Sequence, residues 1–299
     1  MSNNLNEPCA SGFTNGDFES LLIISQFYWP EPIGTPFYVT DFAQWMAEKG
    51  KKVSVITGRP YYPEFRLMPG YERGKCDNEF IEGVSIYRLP TYVPEGGKAS
   101  KRIVNELYYF FGVLMRLLTR RISRCRHVVS FCPTILTVLL GWLATKRGGR
   151  HVAIVHDIQS GLAAGLRMLR CGFFFSVFQW VEKFCLNKAD HIVVLSDQMR
   201  KALRKLGVRQ PISVIPIWVD EKAIYPKLKK SGSQYTLLYS GNLGRKQGLH
   251  HLLDLAEILD RERPDVRLLI RGNGSQESNL MDSVKERGLK TSSSNPCCH

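Results

Sequence analysis

The chain has 299 residues, of which 44% are hydrophobic and 11% aromatic, and its formal net charge is +14. This length allows two domains of ordinary size, and this composition is typical of a globular protein rather than a disordered one. The positive charge favours an anionic partner, which could be nucleic acid, nucleotide-sugars or an acidic membrane surface. The sequence has no zinc-finger spacing, RNP-like motif or basic-region heptad, so nucleic acid is the weakest of these choices.

The eight cysteines are scattered, and none is arranged as a CxxC pair. Several lie in apolar segments, where a free cysteine behaves as a small hydrophobic residue. Together with the lack of a signal peptide, this usage predicts a reducing, cytosolic compartment. Cys297, Cys298 and His299 are adjacent at the end of the chain, which is a poor geometry for chelation, so no metal site is expected there.

In chain order, residues 1–20 are polar and lack periodicity, which predicts a flexible leader. After them, short apolar runs alternate with amphipathic stretches, as in βαβ units with a parallel sheet and right-handed crossovers. The strands predicted in this part are 21–25, 52–57, 82–89, 127–131, 151–156, 191–196 and 212–217. The predicted helices are 36–49, 98–126, 133–145, 161–187 and 197–205, the last with Ser196 as its N-cap.

The predicted helix 98–126 has an apolar middle, Leu107 to Met115, with basic residues on both sides. Two interpretations stay open. The segment is either an internal helix with a solvated basic flank, or an interfacial helix that dips into a membrane while its arginines meet anionic lipid. We favour the second interpretation, which makes an anionic membrane surface an expected partner.

Residues 128–145 contain no charged side chain, and eighteen uncharged residues reach the lower limit for a membrane-spanning helix. Pro133 divides this segment, and its first part has strand character. We therefore expect a strand, a turn and a helix that are all buried within an α/β layer.

The second part of the chain begins after residues 220–234, which are polar, basic and contain proline, and which we interpret as a linker. It contains predicted strands at 236–240 and 267–271, a predicted helix at 248–260, a turn at 272–274 and a further helix that ends near residue 287. No pattern follows residue 290. The predicted organisation is a leader (1–20), a first domain (21–219), a linker (220–234), a second domain (235–290) and an unpatterned tail (291–299).

The turn after strand 236–240 has the clearest chemical signal in the chain. The strand ends at Gly241, the chain turns through Asn242–Gly248, and an amphipathic helix begins. A glycine-rich turn before a helix presents free backbone N–H groups and the positive end of the helix dipole, and Lys246 adds a cation. Phosphate is the natural occupant. However, such units occur in every doubly wound protein, and this spacing fits neither the dinucleotide fingerprint nor the P-loop.

Several separated segments resemble one family. Residues 21–63 (LLIISQFYWPEPIGTPFYVTDFAQWMAEKGKKVSVITGRPYYP) look like the N-terminal signature of the GT-B fold glycosyltransferases of family 4, and in particular of the bacterial surface-polysaccharide transferases of the colanic-acid type. The segments IVHDI, KADHIVVLS, VIPIWVD and YSGNLGRKQGL agree with this family and follow in the right order. The resemblance extends from about residue 20 to about residue 290.

The resemblance implies an α/β protein of the GT-B fold, with two Rossmann-like domains that have parallel sheets. It implies a retaining glycosyltransferase that moves a sugar from a nucleoside diphosphate sugar to a lipid-linked or other saccharide acceptor in surface polysaccharide biosynthesis. Such an enzyme is expected to be cytoplasmic and peripheral on the inner face of the membrane, with no nucleic acid partner. Ligand binding at the carboxyl ends of the strands also agrees with sheet geometry.

The resemblance also assigns donor-binding residues. Gly34 lies in the loop whose backbone approaches the donor phosphates, although a glycine there is also an ordinary turn residue. Lys246 matches the lysine that neutralises the diphosphate leaving group. Arg245 is a second candidate cation, but the family's usual arginine lies just after the strand glycine, where this chain has Asn242, so the role of that arginine is left unassigned. The expected donor-binding residues are Gly34, Gly241, Asn242, Gly244, Arg245 and Lys246.

His156 ends a predicted buried strand, as the family's active-site histidine does, but a core histidine bonded to a neighbour is an equally good interpretation. Asp157 either orients groups at the acceptor or sugar, or caps the next segment. We take both as the candidate catalytic residues. No DxD motif stands in a turn, so we expect no metal and no cofactor, with Lys246 and helix dipoles stabilising the departing diphosphate.

The family's second domain normally continues for about 100 further residues and supplies a pair of glutamates that hold the donor ribose and sugar. Here the pattern stops near Lys290, and the second sheet has only two predicted strands, which leaves an unpaired edge. The sequence therefore predicts a C-terminally truncated, incomplete second domain with weak or no turnover. The alternatives are a non-catalytic remnant that binds a membrane or a partner, and a sugar-nucleotide epimerase of the same fold.

Overall fold

A computed structural model describes residues 19–32, 34–72, 74, 76–94, 99–158, 172–219, 221, 224–226, 235–244, 247–289 and 292–294. The chain divides into two compact units, Met1–Trp218 and Val219–His299. The predicted leader lies outside the described residues except for its last two positions, and so does most of the predicted linker 220–234.

The first unit contains an eight-stranded sheet in the order β3-β4-β2-β1-β5-β6-β7-β8. All neighbouring strands are parallel except β3 and β4. The strands are β1 Ser20–Ile24, β2 Lys52–Gly58, β3 Asn78–Ile81, β4 Val84–Leu89, β5 Cys125–Cys132, β6 Thr145–Val155, β7 His191–Val194 and β8 Ile212–Val214. The helices of this unit are α1 Thr35–Glu48, α2 Ala99–Leu118, α3 Leu136–Ala144, α4 Gly172–Leu186 and α5 Asp197–Leu206.

Strand β1 is buried on both of its faces, as its continuous apolar sequence predicts. Its side chains alternate between two cores. Leu21 and Ile23 belong to the core under α1, whereas Leu22 and Ile24 belong to the core under α2 and α3. The helix residues that close these cores are Val39, Ala43 and Met46 on α1, Tyr109, Val113 and Leu117 on α2, and Leu140 and Ala144 on α3.

The strand order reverses beside β1. Strand β1 pairs in parallel with β2 on one side and with β5 on the other. From β1 the chain moves outward through β2 and β4, and after α2 it continues on the other side through β5, β6, β7 and β8. The loops that follow Ile24 and Cys132 therefore leave in different directions at the carboxyl edge of the sheet. This geometry forms the crevice in which open α/β sheets bind their ligands.

The second unit contains a parallel sheet in the order β11-β10-β9, with β9 Tyr235–Ser240, β10 Val266–Arg271 and β11 Ser292–Ser294. Its helices are α6 His250–Glu262 and α7 Glu277–Glu286. The amphipathic face of α6 is buried against β10 through Leu253 and Ala256 on the helix and Leu268 and Ile270 on the strand. The predicted α/β class with mostly parallel sheets is confirmed.

Two predictions in the first unit differ from the structure. The predicted helix 98–126 ends at Leu118, because Arg120 adopts a positive φ of 57° and the chain from Cys125 onward joins strand β5. No strand is predicted between residues 57 and 82, but Asn78–Ile81 forms strand β3. It pairs antiparallel with β4 through a turn at Glu82 and Gly83, both of which have positive φ.

The second sheet also differs from the prediction. The tail was expected to have no pattern and the sheet only two strands, yet Ser292–Ser294 pairs in parallel with β10, with Leu269 opposite Ser292. A run of serines gives no hydrophobic periodicity, so the sequence does not reveal a strand that is held by backbone hydrogen bonds to its neighbour. The predicted helix 161–187 is present as Gly172–Leu186, and residues 159–171 lie outside the described part of the chain.

Among the described helices, none combines the length and the apolar character that a membrane crossing requires. The uncharged segment 128–145 consists of the end of β5, a turn and helix α3, as predicted. Ser196 caps helix α5, as predicted, because its Oγ accepts a hydrogen bond from the backbone N–H of Met199 at 3.3 Å.

His151 is a fully buried polar residue in the middle of the first sheet. Its Nε2 lies 2.8 Å from Ser130 Oγ, and its backbone N–H donates to Asp190 Oδ2 at 2.8 Å. Gly141 on α3 allows this position, because a Cβ there would lie 2.2 Å from the His151 ring. Burial lowers the pKa of His151 to about 4, from 6.5, although Asp190 opposes the shift.

We predict that His151 makes the first unit sensitive to acid. The unfolded chain binds a proton at His151 more readily than the folded protein does. The contribution of His151 to the stability of the folded protein is therefore fully present above pH 6.5, the pKa in the unfolded chain, and is lost as the pH falls towards 4. The shift corresponds to about 3 kcal/mol of unfolding free energy. Urea unfolding of His151→Gln at about pH 7 and about pH 4 should therefore show a smaller loss of stability than the unsubstituted protein does.

The matched control is His251→Gln, since His251 is exposed on α6. This control should keep the pH dependence of the unsubstituted protein. Equal pH dependence of His151→Gln and the unsubstituted protein would contradict the prediction, even if His151→Gln is less stable at neutral pH.

Candidate functional site

The loop that follows β1 is fixed to the end of β2 by three hydrogen bonds. The backbone N–H of Ser25 donates to the Ile56 carbonyl at 3.1 Å, and that of Gly58 donates to the Gln26 carbonyl at 3.1 Å. Thr57 Oγ1 donates to the same Gln26 carbonyl at 3.2 Å. This loop therefore leaves the sheet in a defined direction, which positions the residues that follow.

Glu31 holds the middle of the same loop. Its buried carboxylate accepts hydrogen bonds from the backbone N–H groups of Tyr61 and Tyr62, both at 3.0 Å. Burial raises the pKa of Glu31 to about 7, although these hydrogen bonds and Arg88 oppose the shift. Arg88 contributes a second tie, because its Nη2 donates to the Trp29 carbonyl at 2.8 Å. The loop is thus attached to its neighbours by both a buried acid and a buried base.

Helix α1 begins at the end of this loop with an open N-terminus. Gly34 is its N-cap and has φ 83° and ψ −137°, a conformation that favours glycine. No side chain caps this end of the helix. The first backbone N–H groups and the positive end of the helix dipole therefore form a site that suits an anion.

His156 lies beside this helix terminus. It directly follows β6, and its Nδ1 is 3.4 Å from Oγ1 of Thr35, the first residue of α1. Its half-buried ring makes edge contacts with Tyr38, at a centroid distance of 5.6 Å, and with Phe131, at 5.7 Å. Burial lowers the pKa of His156, and Asp157 opposes this shift. The imidazole is therefore neutral at physiological pH, when it can donate one hydrogen bond and accept another.

Tyr38 also connects the site to the end of the first unit. Its ring makes an edge contact with Trp218 at a centroid distance of 5.4 Å. The indole Nε1 of Trp218 donates to Asp41 on the same helix. The last residue of the unit thus packs on the first turns of α1, close to His156.

Two of the predicted site residues are therefore brought together. Gly34 and His156 are far apart in the sequence, but Thr35, which follows Gly34, contacts His156. Asp157 is exposed next to His156, and no hydrogen bond is described for its side chain. Thr35, Tyr38 and Trp218 are not among the site residues predicted from the sequence. A signal existed for Trp218, because it lies in the segment VIPIWVD, but nothing local in the sequence indicates its contact with Tyr38.

In the second unit, the predicted glycine-rich turn follows β9 as expected. The backbone N–H of Gly241 donates to the Arg271 carbonyl at 3.0 Å, and that of Leu243 donates to the Asn273 carbonyl at 2.8 Å. Asn242 is exposed and Gly244 is partly buried in this turn. Arg245 and Lys246 lie outside the described residues, so their predicted roles stay predictions.

The turn after β10 packs against this glycine-rich turn and needs glycine to do so. A Cβ on Gly272 would lie 1.8 Å from the Gly241 carbonyl oxygen, and one on Gly274 would lie 2.4 Å from the Leu243 carbonyl oxygen. The sequence predicts residues 272–274 only as a turn. The structure adds these two glycines to the candidate donor-binding region of the second unit, because they fix the backbone of residues 241–243.

Within the described part of the chain, no three His, Cys, Asp or Glu side chains are grouped so that they could hold a metal ion. The described residues around the N-terminus of α1 offer a neutral imidazole (His156), a hydroxyl (Thr35), an exposed carboxylate (Asp157) and the helix N-terminus itself. Such a set can bind and orient a phosphate-bearing ligand with free hydroxyl groups.

Comparisons with known proteins give a consistent family. Residues 34–218 match a family model described as a glycosyl transferase 4-like domain, and residues 220–293 match one described as glycosyl transferases group 1. The glycosyl transferase WcaI of Escherichia coli (strain K12), named for colanic acid biosynthesis, is 26% identical over 287 residues, which are 90% of this chain and 70% of that protein.

Two further proteins are similar over most of the chain. The gpi3 subunit of phosphatidylinositol N-acetylglucosaminyltransferase from Schizosaccharomyces pombe is 21% identical over 278 residues, which are 89% of this chain and 53% of that protein. The structure of sucrose-phosphate synthase from Thermosynechococcus elongatus has a TM-score of 0.62 at 18% identity, over 93% of this chain and 70% of that one. The predicted GT-B fold is confirmed. The chain thus spans 70% of the length of WcaI and 53% of the length of the gpi3 subunit.

We predict that His156 titrates below the usual histidine range, because its ring is packed between Phe131 and Tyr38. In an NMR titration of the isotopically labelled protein, its midpoint should fall below 6.5, the ordinary value. The chain has seven histidines, so the signal is assigned as the one that disappears in His156→Gln. A midpoint at or above 6.5 would show that the ring is solvated or paired with Asp157.

Proposed function

The chain belongs to the glycosyltransferases that the glycosyl transferase 4-like family model describes, and we propose that it is a retaining glycosyltransferase. In this proposal it moves a sugar from a nucleoside diphosphate sugar to a saccharide acceptor in surface polysaccharide biosynthesis. The name of its relative WcaI, which refers to colanic acid biosynthesis, supports this class of product.

One observation supports the proposal above the others. The uncapped N-terminus of α1, with Gly34 at its N-cap, opens at the switch point of the first sheet and contacts His156 through Thr35. A diphosphate is the ligand that best suits free backbone N–H groups at a helix N-terminus. A neutral imidazole beside it can bind a sugar or acceptor hydroxyl. The ligand expected here thus combines a phosphate group with hydroxyl groups, as a nucleotide-sugar does.

The second unit has a candidate donor-binding region of its own. Its glycine-rich turn at Gly241, Asn242 and Gly244 would offer backbone N–H groups, and Arg245 and Lys246 would offer positive charge to the leaving diphosphate. Glycosyl transfer places negative charge on that leaving group, so fixed cations and helix dipoles lower the barrier. We propose no metal ion and no cofactor for this reaction.

The roles of His156 and Asp157 follow from their chemistry. His156 would bind a hydroxyl of the transferred sugar or of the acceptor and hold the reacting atoms in line. Asp157, which is exposed beside it, would accept a hydrogen bond from a second hydroxyl. Retention is proposed on the family resemblance, and an NMR comparison of the anomeric configuration in donor and product tests it.

We also propose that the acceptor is lipid-linked and that the protein works as a peripheral protein on the cytoplasmic face of the membrane. The relative from Schizosaccharomyces pombe is named as a phosphatidylinositol N-acetylglucosaminyltransferase, which is a transferase named for a lipid acceptor. The basic character of the chain, with a net charge of +14, also favours an anionic surface.

The donor site is tested by Gly34→Ala. A Cβ at Gly34 meets no atom within 4 Å, so the substitution acts on the backbone conformation and does not create a clash. Alanine at φ 83° and ψ −137° is strained by on the order of 1–3 kcal/mol, which should shift the first N–H groups of α1. Titration calorimetry with UDP-glucose and GDP-mannose should show donor binding that is about tenfold weaker or more.

Gly50→Ala is a matched control beyond the other end of the same helix, whose 14 residues extend over about 21 Å. Gly50 also has a positive φ, 78°, and also has no atom within 4 Å of a Cβ position. It should therefore lose a comparable amount of stability without losing donor affinity. Equal affinity of Gly34→Ala and Gly50→Ala would overturn the assignment of the donor phosphates to α1, and binding of neither nucleotide-sugar would count against the proposed function.

A further inference from the structure

The outer surface of α2 is apolar where a solvated helix would be polar. The core side of this helix consists of Asn105, Tyr109, Val113 and Leu117. The opposite side has a stripe of exposed apolar side chains at helical spacing, with Phe111 55% exposed and Leu118 66% exposed. A helix that is apolar on both sides is typical of a buried element or of one that contacts lipid. The stripe consists of Ile103, Val104, Leu107, Tyr108, Phe111, Met115 and Leu118.

The neighbouring helices on the same face of the sheet extend this apolar surface. Helix α3 packs beside α2, and α4 packs beside α3. Helix α3 exposes Trp142, and α4 exposes Trp180, which is 63% exposed and stacks on Phe184 at a centroid distance of 5.6 Å. We define the α2–α4 surface as the α2 stripe together with Trp142, Val177, Trp180 and Phe184. The described part of the chain thus has an apolar face that spans three adjacent helices.

Positive charge collects at one edge of the α2–α4 surface. Residues 99–150 contain ten lysines and arginines but one acidic residue, Glu106. Each of the three helices ends where a strand of the parallel sheet is about to begin, so their carboxyl ends lie at one edge of the sheet. Exposed basic side chains follow at Arg120, Arg121, Arg124, Lys146 and Arg147. Within this surface, Lys188 Nζ lies 4.9 Å from the Trp142 ring centroid and 5.0 Å from that of Phe184.

We propose that the α2–α4 surface binds an anionic phospholipid bilayer, with its apolar side chains at the headgroup and acyl boundary and its basic edge on the lipid phosphates. This inference rests on the peripheral location proposed above and names the surface that would provide it. Tryptophan, phenylalanine and leucine next to arginine and lysine form the pattern of an interfacial membrane surface. Lys188 fits this arrangement, because an ammonium group over aromatic rings can reach the headgroups from an apolar surface.

The charge and the apolar character of this surface also argue against two other occupants, a second copy of the chain and nucleic acid. A second copy of the chain that paired through the same face would offer almost no acidic side chain to the basic edge, because residues 99–150 contain only one acidic residue. Nucleic acid would satisfy the basic edge, but it would leave the apolar stripe without a partner. The α2 stripe also reaches Ile103 near the start of the helix, which is the edge of the sheet where β1 ends and the candidate site lies. A bilayer on this surface would thus be within reach of that edge.

The test measures binding of the purified full chain to sedimenting vesicles, with no nucleotide-sugar present. The vesicles contain phosphatidylcholine alone, or phosphatidylcholine with phosphatidylglycerol. The unsubstituted protein should bind the anionic vesicles at least about tenfold more tightly than the neutral ones, and added salt should weaken this binding. Because the assay contains no donor, its result is independent of the proposed reaction, and Gly34→Ala should bind vesicles like the unsubstituted protein.

Two double variants locate the binding surface. Phe111→Gln with Trp180→Gln removes apolar contact, and Arg121→Gln with Arg124→Gln removes charge. Each should weaken vesicle binding by about tenfold or more. All four side chains are exposed, so circular dichroism should be unchanged.

The controls are matched in chemistry and lie elsewhere. Phe80→Gln with Ile258→Gln removes two exposed apolar side chains, and Lys49→Gln with Lys285→Gln removes two exposed charges. Both should bind vesicles like the unsubstituted protein. Absence of binding by the unsubstituted protein, or equal binding by all four variants, overturns the proposal. A dimer that forms without vesicle binding and is lost in Phe111→Gln with Trp180→Gln also overturns it, because the face would then belong to a second copy.

Discussion

The position of β1 between β2 and β5 is the constraint on which the candidate site of the first unit depends. Both pairings are parallel, and they fix register from Leu21 through Ile24 on both sides of the strand. Because β1 is buried on both faces, it cannot slip by one residue without moving its apolar side chains into the wrong core. The loop after Ile24 therefore starts from a fixed position. It leaves the sheet in a different direction from the loop after Cys132, which ends the neighbouring strand β5.

After the end of β1, a series of contacts fixes the path of the chain towards α1. The loop is attached to the end of β2, the buried carboxylate of Glu31 holds two backbone N–H groups, and Gly34 turns the chain into α1. Strand β6 lies two strands away from β1, and its end delivers His156 to the same helix terminus. The site is thus formed by backbone elements whose positions are set by the sheet. This explains how a helix N-terminus and an imidazole that are distant in sequence become neighbours.

Much of this fold could be predicted from the sequence, because the alternation of apolar runs and amphipathic stretches is a local signal. The end of α2, strand β3 and strand β11 could not be predicted in this way. The arginine-rich segment after Leu118 has no glycine or proline stop, and Ser292–Ser294 has no apolar side chain, so both lack a boundary signal. Within the site, the resemblance indicated Gly34 and His156. The contacts of Tyr38 with His156 and Trp218 depend on tertiary packing that no local pattern reports.

The central claim is that the donor phosphates bind at the N-terminus of α1. Its first N–H groups lack intrahelical partners, so they should exchange quickly in the free protein. Amide hydrogen exchange by NMR, with and without UDP-glucose or GDP-mannose, tests the claim most directly. The N–H groups of Thr35, Phe37 and Tyr38 should exchange more slowly when the donor is bound. Unchanged exchange at these three residues, together with slower exchange elsewhere in the chain, would contradict it.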